Sequence, residues 1–190
     1  MLKKIMKSYL QRYKPFLIFL SKFLLSYLLL TFLYQEYLNQ FDAAKCEPDG
    51  ATKLVSENTV WFLKLIGHNA EIYPHPNEAS YKLFVEGHAV ARIVEGCNAV
   101  SVMILFVAFI VAFSSRFLKT TLFIFSGVLL IHVLNVIRVG LISVAMRTYP
   151  EYKDFLHDIV FPLFIYGVVF GLWVLWINKF SSYAKKNPAT

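Results

Sequence analysis

Three side chains with complementary chemistry lie far apart in this sequence: Cys97, Arg138 and His157. A cysteine thiolate is a strong nucleophile, and a helix N-terminus or a nearby cation lowers the pKa of its thiol. A histidine can take the thiol proton and return it to a leaving amine. An arginine can orient a carbonyl group or stabilise an oxyanion. Brought together, these groups could cleave a peptide bond through a thioester, which an amine or a hydroxyl would then resolve.

Each of the three residues also has a simpler interpretation. Cys97 could be a small buried apolar residue, or it could form a disulfide with Cys46. Arg138 could extend its side chain to the membrane interface from a helix end. His157 could be a solvated loop histidine. The chemical interpretation therefore depends on whether the fold brings the three residues together.

The elements that must position these residues are membrane helices. The chain has 190 residues, of which 57% are apolar and 16% charged, whereas soluble domains usually carry about 25% charged residues. A soluble protein this apolar would expose large apolar patches and aggregate. We therefore predict an all-α polytopic membrane protein, with residues 1–190 forming a single membrane domain surrounded by lipid. The net charge of +7 is attributed to membrane topology rather than to a nucleic-acid partner.

Four apolar segments are long enough for transmembrane helices, which need roughly 17–25 residues. They cover about residues 16–34, 97–113, 121–146 and 159–177. In the fourth segment, Gly167 and Gly171 are spaced for close helix contact, and we predict that they pack within the bundle.

The distribution of lysine and arginine predicts the orientation of these helices. The N-terminal tail, the 114–120 turn and the C-terminal tail carry basic residues and no acidic ones. The 35–96 segment carries nine acidic and five basic residues. Both termini are therefore predicted to be cytoplasmic, in the cytoplasmic (inner) membrane of a prokaryote. The external 35–96 loop contains a predicted helix over 54–66 and a predicted hairpin over 81–94 with its turn at Glu86-Gly87, which together predict a small extracytoplasmic α/β cap.

This topology places the candidate residues at one membrane face. Cys97 is predicted to begin the second helix at its outer end, Arg138 to lie toward the outer end of the third, and His157 to precede the fourth. Asn135 shares a helix face with Arg138 and is interpreted either as a supporting residue of the site or as a helix–helix contact. His132, deeper in the third helix, is predicted to be structural.

The segments around these residues resemble the exosortase/archaeosortase family. Glu95-Gly96-Cys97-Asn98-Ala99, before an apolar helix, is similar to the cysteine motif of the family. Asn135-Val136-Ile137-Arg138 is similar to its Asn-x-x-Arg segment, and His157 to its histidine. The resemblance covers about residues 90–178 and is closest to a compact four-helix form of the Bacteroidetes type, because the extra N-terminal helices of larger members are missing.

The resemblance implies catalytic roles for Cys97, Arg138 and His157. The candidate supporting or substrate-binding residues are Glu95, Asn98 and Asn135. Glu95 is interpreted either as a residue that tunes the thiol or as a plain loop acid.

The family processes exported proteins that carry a C-terminal sorting signal. Such a signal combines a short motif (Pro-Glu-Pro in the best-known branch), a transmembrane stretch and a basic cluster. The resemblance implies a cysteine peptidase or transpeptidase that cuts near the motif and transfers the protein to an acceptor that the sequence does not identify. No metal or other cofactor is expected, because the thiolate, imidazole and guanidinium suffice for this chemistry.

Two other functions are compatible with the sequence. A membrane thiol–disulfide oxidoreductase could use Cys46 and Cys97, although the chain has no C-x-x-C pair. A non-catalytic membrane assembly factor could use its polar residues to join helices. The oxidoreductase needs both thiols, whereas the assembly factor should tolerate Cys97→Ala.

Overall fold

A computed structural model describes residues 2–41, 46–152 and 155–180 of the chain. Its α-helices and β-strands are α1 (Leu2–Leu38), α2 (Gly50–Leu65), β1 (Ala70–Pro74), β2 (Tyr81–Val85), β3 (His88–Ile93), α3 (Val100–Ala112), α4 (Phe117–Thr148) and α5 (Phe161–Leu175). A 3-10 turn (Glu95–Cys97) precedes α3, another (Pro150–Tyr152) follows α4, and π turns (Leu156–Val160 and Trp176–Phe180) flank α5. The basic C-terminal tail used to predict the orientation lies largely outside the described residues.

Three helical segments of the described chain are long and apolar enough to cross a membrane. They are Tyr13–Leu38, Phe117–Thr148 and Leu156–Phe180. These segments contain the first, third and fourth predicted spans, and they agree with a mostly helical membrane protein. Each helix extends past its predicted apolar stretch, because a helix that emerges from lipid can continue with polar residues.

The second predicted span, at 97–113, is shorter as a helix than the sequence suggested. α3 has 13 residues, or about 20 Å at 1.5 Å per residue, whereas the hydrocarbon core of a bilayer is about 30 Å thick. Cys97 does not begin this helix, as predicted, but ends the preceding 3-10 turn. Ala99 separates the turn from the helix, because its φ of 60° is left-handed and interrupts the right-handed path.

α3 contacts the three helices that are long enough to cross a membrane, α1, α4 and α5. Phe106 and Ile110 of α3 are fully buried against Ile131 of α4 and Val169 of α5. Trp176, directly after the C-terminal end of α5, is fully buried, and its Nε1 donates a hydrogen bond to the Phe113 carbonyl oxygen at 3.0 Å. These contacts make α3 the central helix of the bundle.

The segment between α1 and α3 contains both predicted elements. The helix begins earlier than the predicted 54–66, at Gly50, because the Asp49 carboxylate accepts hydrogen bonds from the backbone N–H groups of Ala51 and Thr52 at 2.9 and 3.0 Å. The hairpin has its turn at Glu86 and Gly87, whose φ values are 53° and 77°. Positive φ at both central residues matches the twist of a tight two-residue hairpin.

One strand was not predicted from the sequence. β1 pairs antiparallel with β2, so that the sheet has the order β1-β2-β3. Val55 and Leu63 of α2, Leu83 and Ile93 of the sheet and Val139 of α4 form a common buried core. The sheet is therefore fixed to the end of α4 that carries Arg138.

α4 approaches α3 closely at Gly127. A Cβ atom at this position would lie 2.3 and 2.6 Å from ring atoms of Phe106, which is fully buried. Gly167 and Gly171 of α5 have nothing within 4 Å of such an atom. The prediction that this glycine pair packs within the bundle is therefore wrong. Helices meet instead at Gly127 and at Gly140 of α4, where a Cβ atom would lie 2.7 Å from a ring atom of Phe62 in α2.

Gly127→Ala should lower the free energy of unfolding by about 1–3 kcal/mol, the usual effect of overpacking a core, because the Phe106 ring must move. The matched control is Gly171→Ala, which gives the same gain in helix propensity without a new contact. Thermal unfolding of the detergent-solubilised protein measures both variants. Equal midpoints for the two variants would contradict the close contact between α3 and α4.

Candidate active site

A cavity of about 600 Å³ lies where β3, the Glu95–Cys97 turn, α4 and the segment before α5 meet. Cys97, Arg138 and His157 all line this cavity. Most of the remaining wall is apolar, and it includes Val90, Ile93, Val139, Ile142 and Met146. The fold thus brings together the three residues that the sequence analysis singled out, although they belong to three separate segments.

Asn135 connects two of these residues. Its side chain is fully buried, and its Nδ2 donates a hydrogen bond to the Cys97 carbonyl oxygen at 2.7 Å. Its Oδ1 accepts a hydrogen bond from Arg138 Nη1 at 3.1 Å. The spacing of three residues along α4 allows the second bond, because residues i and i+3 share a helix face. One amide therefore holds both the cysteine backbone and the guanidinium.

The Arg138 side chain has hydrogen-bonding capacity that the described residues do not use. Its Nε is buried and has no hydrogen-bond partner among them, although a guanidinium offers five donors. The guanidinium also interacts electrostatically with Cys97. α3 begins only at Val100, so Cys97 does not lie at a helix N-terminus as the sequence predicted.

His157 lies in the π turn before α5, with its side chain about half exposed. Its Nδ1 lies 2.8 Å from an Asp158 carboxylate oxygen. When Nδ1 carries a proton and donates to the carboxylate, Nε2 is the unprotonated nitrogen that can act as a base. Asp158 was not predicted to belong to the site, although an acidic residue directly after the histidine was a signal that could have identified it.

Glu95 and Asn98 do not line the cavity, and their side chains bind Tyr34 near the end of α1. The Tyr34 hydroxyl donates to Glu95 Oε1 at 2.9 Å, and Asn98 Nδ2 donates to the same hydroxyl at 2.9 Å. The Asn98 Oδ1 accepts from the Val100 backbone N–H at 2.9 Å, at the start of α3. These contacts anchor the cysteine turn to α1. Tyr34 was missed from the sequence, where one hydroxyl near the end of an apolar helix gives little signal.

The structure distinguishes between the alternative interpretations of the cysteines and of His132. Cys46 and Cys97 are both free thiols, so the disulfide considered from the sequence is not formed. His132 faces Asn58 of α2, with 2.9 Å between its Nε2 and the amide nitrogen. This contact joins α4 to α2 away from the cavity and agrees with the structural role predicted for His132.

A family profile described as transmembrane exosortase (Exosortase_EpsH) matches residues 15–177. The chain belongs to this family. The match covers more than the 90–178 region of the sequence resemblance, since it also includes most of α1 and the whole segment that contains α2 and the sheet. No curated protein and no solved structure matches this exosortase. The family and the apolar helices identify it as an integral membrane protein.

Asn135→Leu should lower the free energy of unfolding of this exosortase by about 1–3 kcal/mol. Leucine fills a similar volume but leaves the Cys97 carbonyl and Arg138 without their partner, and an unsatisfied buried polar group has a penalty of that size. Ser126→Ala on the same helix is the control, because Ser126 is exposed and bonds the carbonyl oxygen of Phe123 in its own helix. Chemical or thermal unfolding in detergent compares the two, and equal stability would exclude the bridging role of Asn135.

Proposed function

We propose that this exosortase is a membrane cysteine peptidase or transpeptidase that cleaves the C-terminal sorting signal of exported proteins through a thioester on Cys97. The observation that carries the proposal is the single cavity lined by Cys97, Arg138 and His157. A nucleophile, a base and an oxyanion-stabilising cation are the groups that acyl transfer requires. Family membership supports the same activity.

The reaction begins with transfer of the Cys97 thiol proton to His157. The thiolate attacks the carbonyl carbon of the scissile peptide bond, and a C–S bond forms while the oxygen becomes negatively charged beside Arg138. The C–N bond then breaks, and His157 returns the proton to the leaving amine. An acceptor amine or hydroxyl attacks the thioester, the C–S bond breaks, and the proton given up by the acceptor regenerates the thiol.

Asn135 serves in this scheme as a positioning residue. It holds the Cys97 carbonyl and Arg138 from one buried point, so that the thiol and guanidinium keep a fixed relation during the reaction. Asn98 and Glu95 act at a greater distance, because they tie the cysteine turn to Tyr34. Asp158 orients the imidazole of His157.

We further propose that α3 is the fourth membrane-crossing helix of this bundle. α3 is short, but it is surrounded by α1, α4 and α5, and only a few residues separate its end from the start of the long α4. The end of α3 and the start of α4 therefore lie at the same membrane face. In this topology the chain crosses through α1, returns to that face through α3 and crosses again through α4. Four crossings leave both termini in the cytoplasm and put the cavity, α2 and the sheet on the external side of the cytoplasmic membrane, as the distribution of lysine and arginine favours.

Cys97→Ala should abolish a covalent substrate adduct that wild-type protein forms in the membranes of its own host. The adduct is detected by mass spectrometry and should be released by hydroxylamine, which attacks thioesters. Cys46→Ala is the matched control and should keep the adduct. His157→Gln should reduce its formation by about 10²–10⁴-fold, the usual contribution of general acid–base catalysis.

Each competing function gives a different result in this experiment. An oxidoreductase would need Cys46 as well, and its adduct would be a mixed disulfide released by dithiothreitol. An assembly factor would leave substrate processing unchanged in Cys97→Ala. Either result would reject the transpeptidase proposal.

Arg138→Lys should lower the rate of substrate processing by about 10²–10³-fold, the usual effect of removing one oxyanion donor. Lysine keeps the charge but lacks the planar fork of the guanidinium. Arg116→Lys is the control, because Arg116 lies at the opposite end of α4. Processing is followed by the size shift of the exported substrate, and a normal rate in Arg138→Lys would remove Arg138 from the proposed chemistry.

A further inference from the structure

β3 is an edge strand, and it lies beside the candidate active site. The sheet order is β1-β2-β3, so β3 pairs on one side only. Five consecutive residues, from Val90 to Val94, line the same cavity as Cys97. The chain then passes from the strand into the Glu95–Cys97 turn. The strand edge and the thiol therefore belong to one continuous surface.

The pairing register shows which backbone groups of β3 point away from the sheet. In an antiparallel pair, residues alternate between pairs that exchange both hydrogen bonds and pairs that exchange none. Glu86 N–H bonds Asn69 O at 2.8 Å, and His75 N–H bonds Ser80 O at 2.9 Å. These two bonds fix the phase between β1 and β2, so that the even-numbered residues of β2 bond β1.

The odd-numbered residues of β2 therefore bond β3. Lys82 is even-numbered, and its partner in β3 is Arg92. Arg92 consequently directs its backbone N–H and C=O away from β2. The register shifts at a β-bulge between Leu83 and Phe84, so this alternation applies to the part of β3 from Ala91 to Ile93. Within that part of β3, the outward-facing pair of backbone groups at Arg92 borders the cavity.

No backbone hydrogen bond within the described ranges joins this outer edge of β3 to another element. Proteins usually cover, shorten or charge such an edge, because it is ready to pair with another strand. Lipid chains cannot satisfy backbone N–H and C=O groups, so a lipid molecule is a poor occupant. An extended peptide satisfies them directly.

We propose that the substrate segment to be cleaved binds as an added β-strand on the outer edge of β3, with its backbone bonded to Arg92 and its scissile carbonyl delivered to Cys97. This inference rests on the proposed function and specifies the conformation in which the substrate is recognised. In strand addition, main-chain hydrogen bonds supply affinity, and alternate side chains supply specificity. Val139, Ile142 and Met146 of α4 form an apolar wall opposite the strand that accepts every second side chain.

The test uses a peptide of sequence acetyl-Thr-Val-Thr-Val-Thr that ends in a vinyl sulfone. The Cys97 thiolate forms a C–S bond with the terminal vinyl carbon, and the neighbouring carbon takes up a proton. Two isomers carry a backbone N-methyl group on the second or on the third residue, whose N–H groups point to opposite edges of a bound strand. Intact mass spectrometry of the full chain in detergent gives the alkylation rates, and iodoacetamide reports the intrinsic reactivity of the thiol.

We expect one N-methyl isomer to react at least about threefold to tenfold more slowly than the parent peptide, the effect of one backbone hydrogen bond, and the other isomer to react at nearly the parent rate. Arg92→Pro should slow the parent peptide by about threefold to tenfold, because it deletes the outward N–H that donates to a carbonyl oxygen of the bound peptide, while edge strands tolerate proline. Arg92→Ala loses the same ion pair with Glu78 but keeps the N–H, and Ala89→Pro places proline outside the cavity. Both controls should react with the parent peptide at the wild-type rate, with iodoacetamide rates unchanged in all variants.

Equal rates for the two isomers on wild-type protein would overturn strand addition, and so would an unchanged rate for the parent peptide in Arg92→Pro. Either result leaves the thioester experiment on Cys97 unaffected. If iodoacetamide modifies Cys97 no faster than it modifies an unfolded control peptide, and no thioester adduct forms, the proposed function fails and strand addition fails with it.

Discussion

The buried amide of Asn135 is the interaction on which the arrangement of the site depends. It lies in a membrane helix, donates to the Cys97 carbonyl and accepts from Arg138. The cysteine turn and α4 meet at this point, and among the described residues the backbone of Cys97 makes no other hydrogen bond to α4. A polar group in such surroundings is stable only when its hydrogen bonds are satisfied. The two hydrogen bonds of this amide hold the backbone of Cys97 and the guanidinium of Arg138 close together.

An arginine within a membrane-spanning helix is energetically unfavourable unless it faces protein or water. The structure meets this condition by directing Arg138 into the cavity beneath the sheet. The sheet also closes one side of the site, because Leu83 and Ile93 pack with Val139, the residue that follows Arg138. The segment between α1 and α3 therefore does more than connect two helices. It forms one wall of the cavity and, through Arg92, contributes an edge that faces it.

The sequence allowed the long helices, the hairpin and the convergence of the three candidate residues to be predicted, and each of these depended on a strong local signal. Apolar length identifies a membrane helix, Glu86-Gly87 identifies a tight turn, and alternating crossings place helix ends on one face. The left-handed φ of Ala99 could not be predicted from the sequence, since alanine seldom adopts this conformation. The short α3 and the shifted position of Cys97 both follow from that residue.

The contacts of Tyr34 and of the glycines depend on tertiary packing, which a single sequence does not encode locally. Tyr34 binds residues more than 60 positions away. Gly127 lacked a partner glycine at helix-contact spacing, yet it receives the Phe106 ring. The pair at 167 and 171 had the expected spacing but no neighbouring helix against which to pack. Spacing alone therefore indicated that helices could approach each other, but not where they do.

The length of α3 has a consequence for the depth of the site. In the proposed topology, α3 is about 20 Å long within a hydrocarbon layer of about 30 Å, and the longer helices around it largely separate it from lipid. In the proposed orientation, Cys97 at its outer end therefore lies below the outer membrane surface. A substrate held by its own membrane anchor could then meet the thiol at the mouth of a shallow depression, with little of its chain extracted into bulk water.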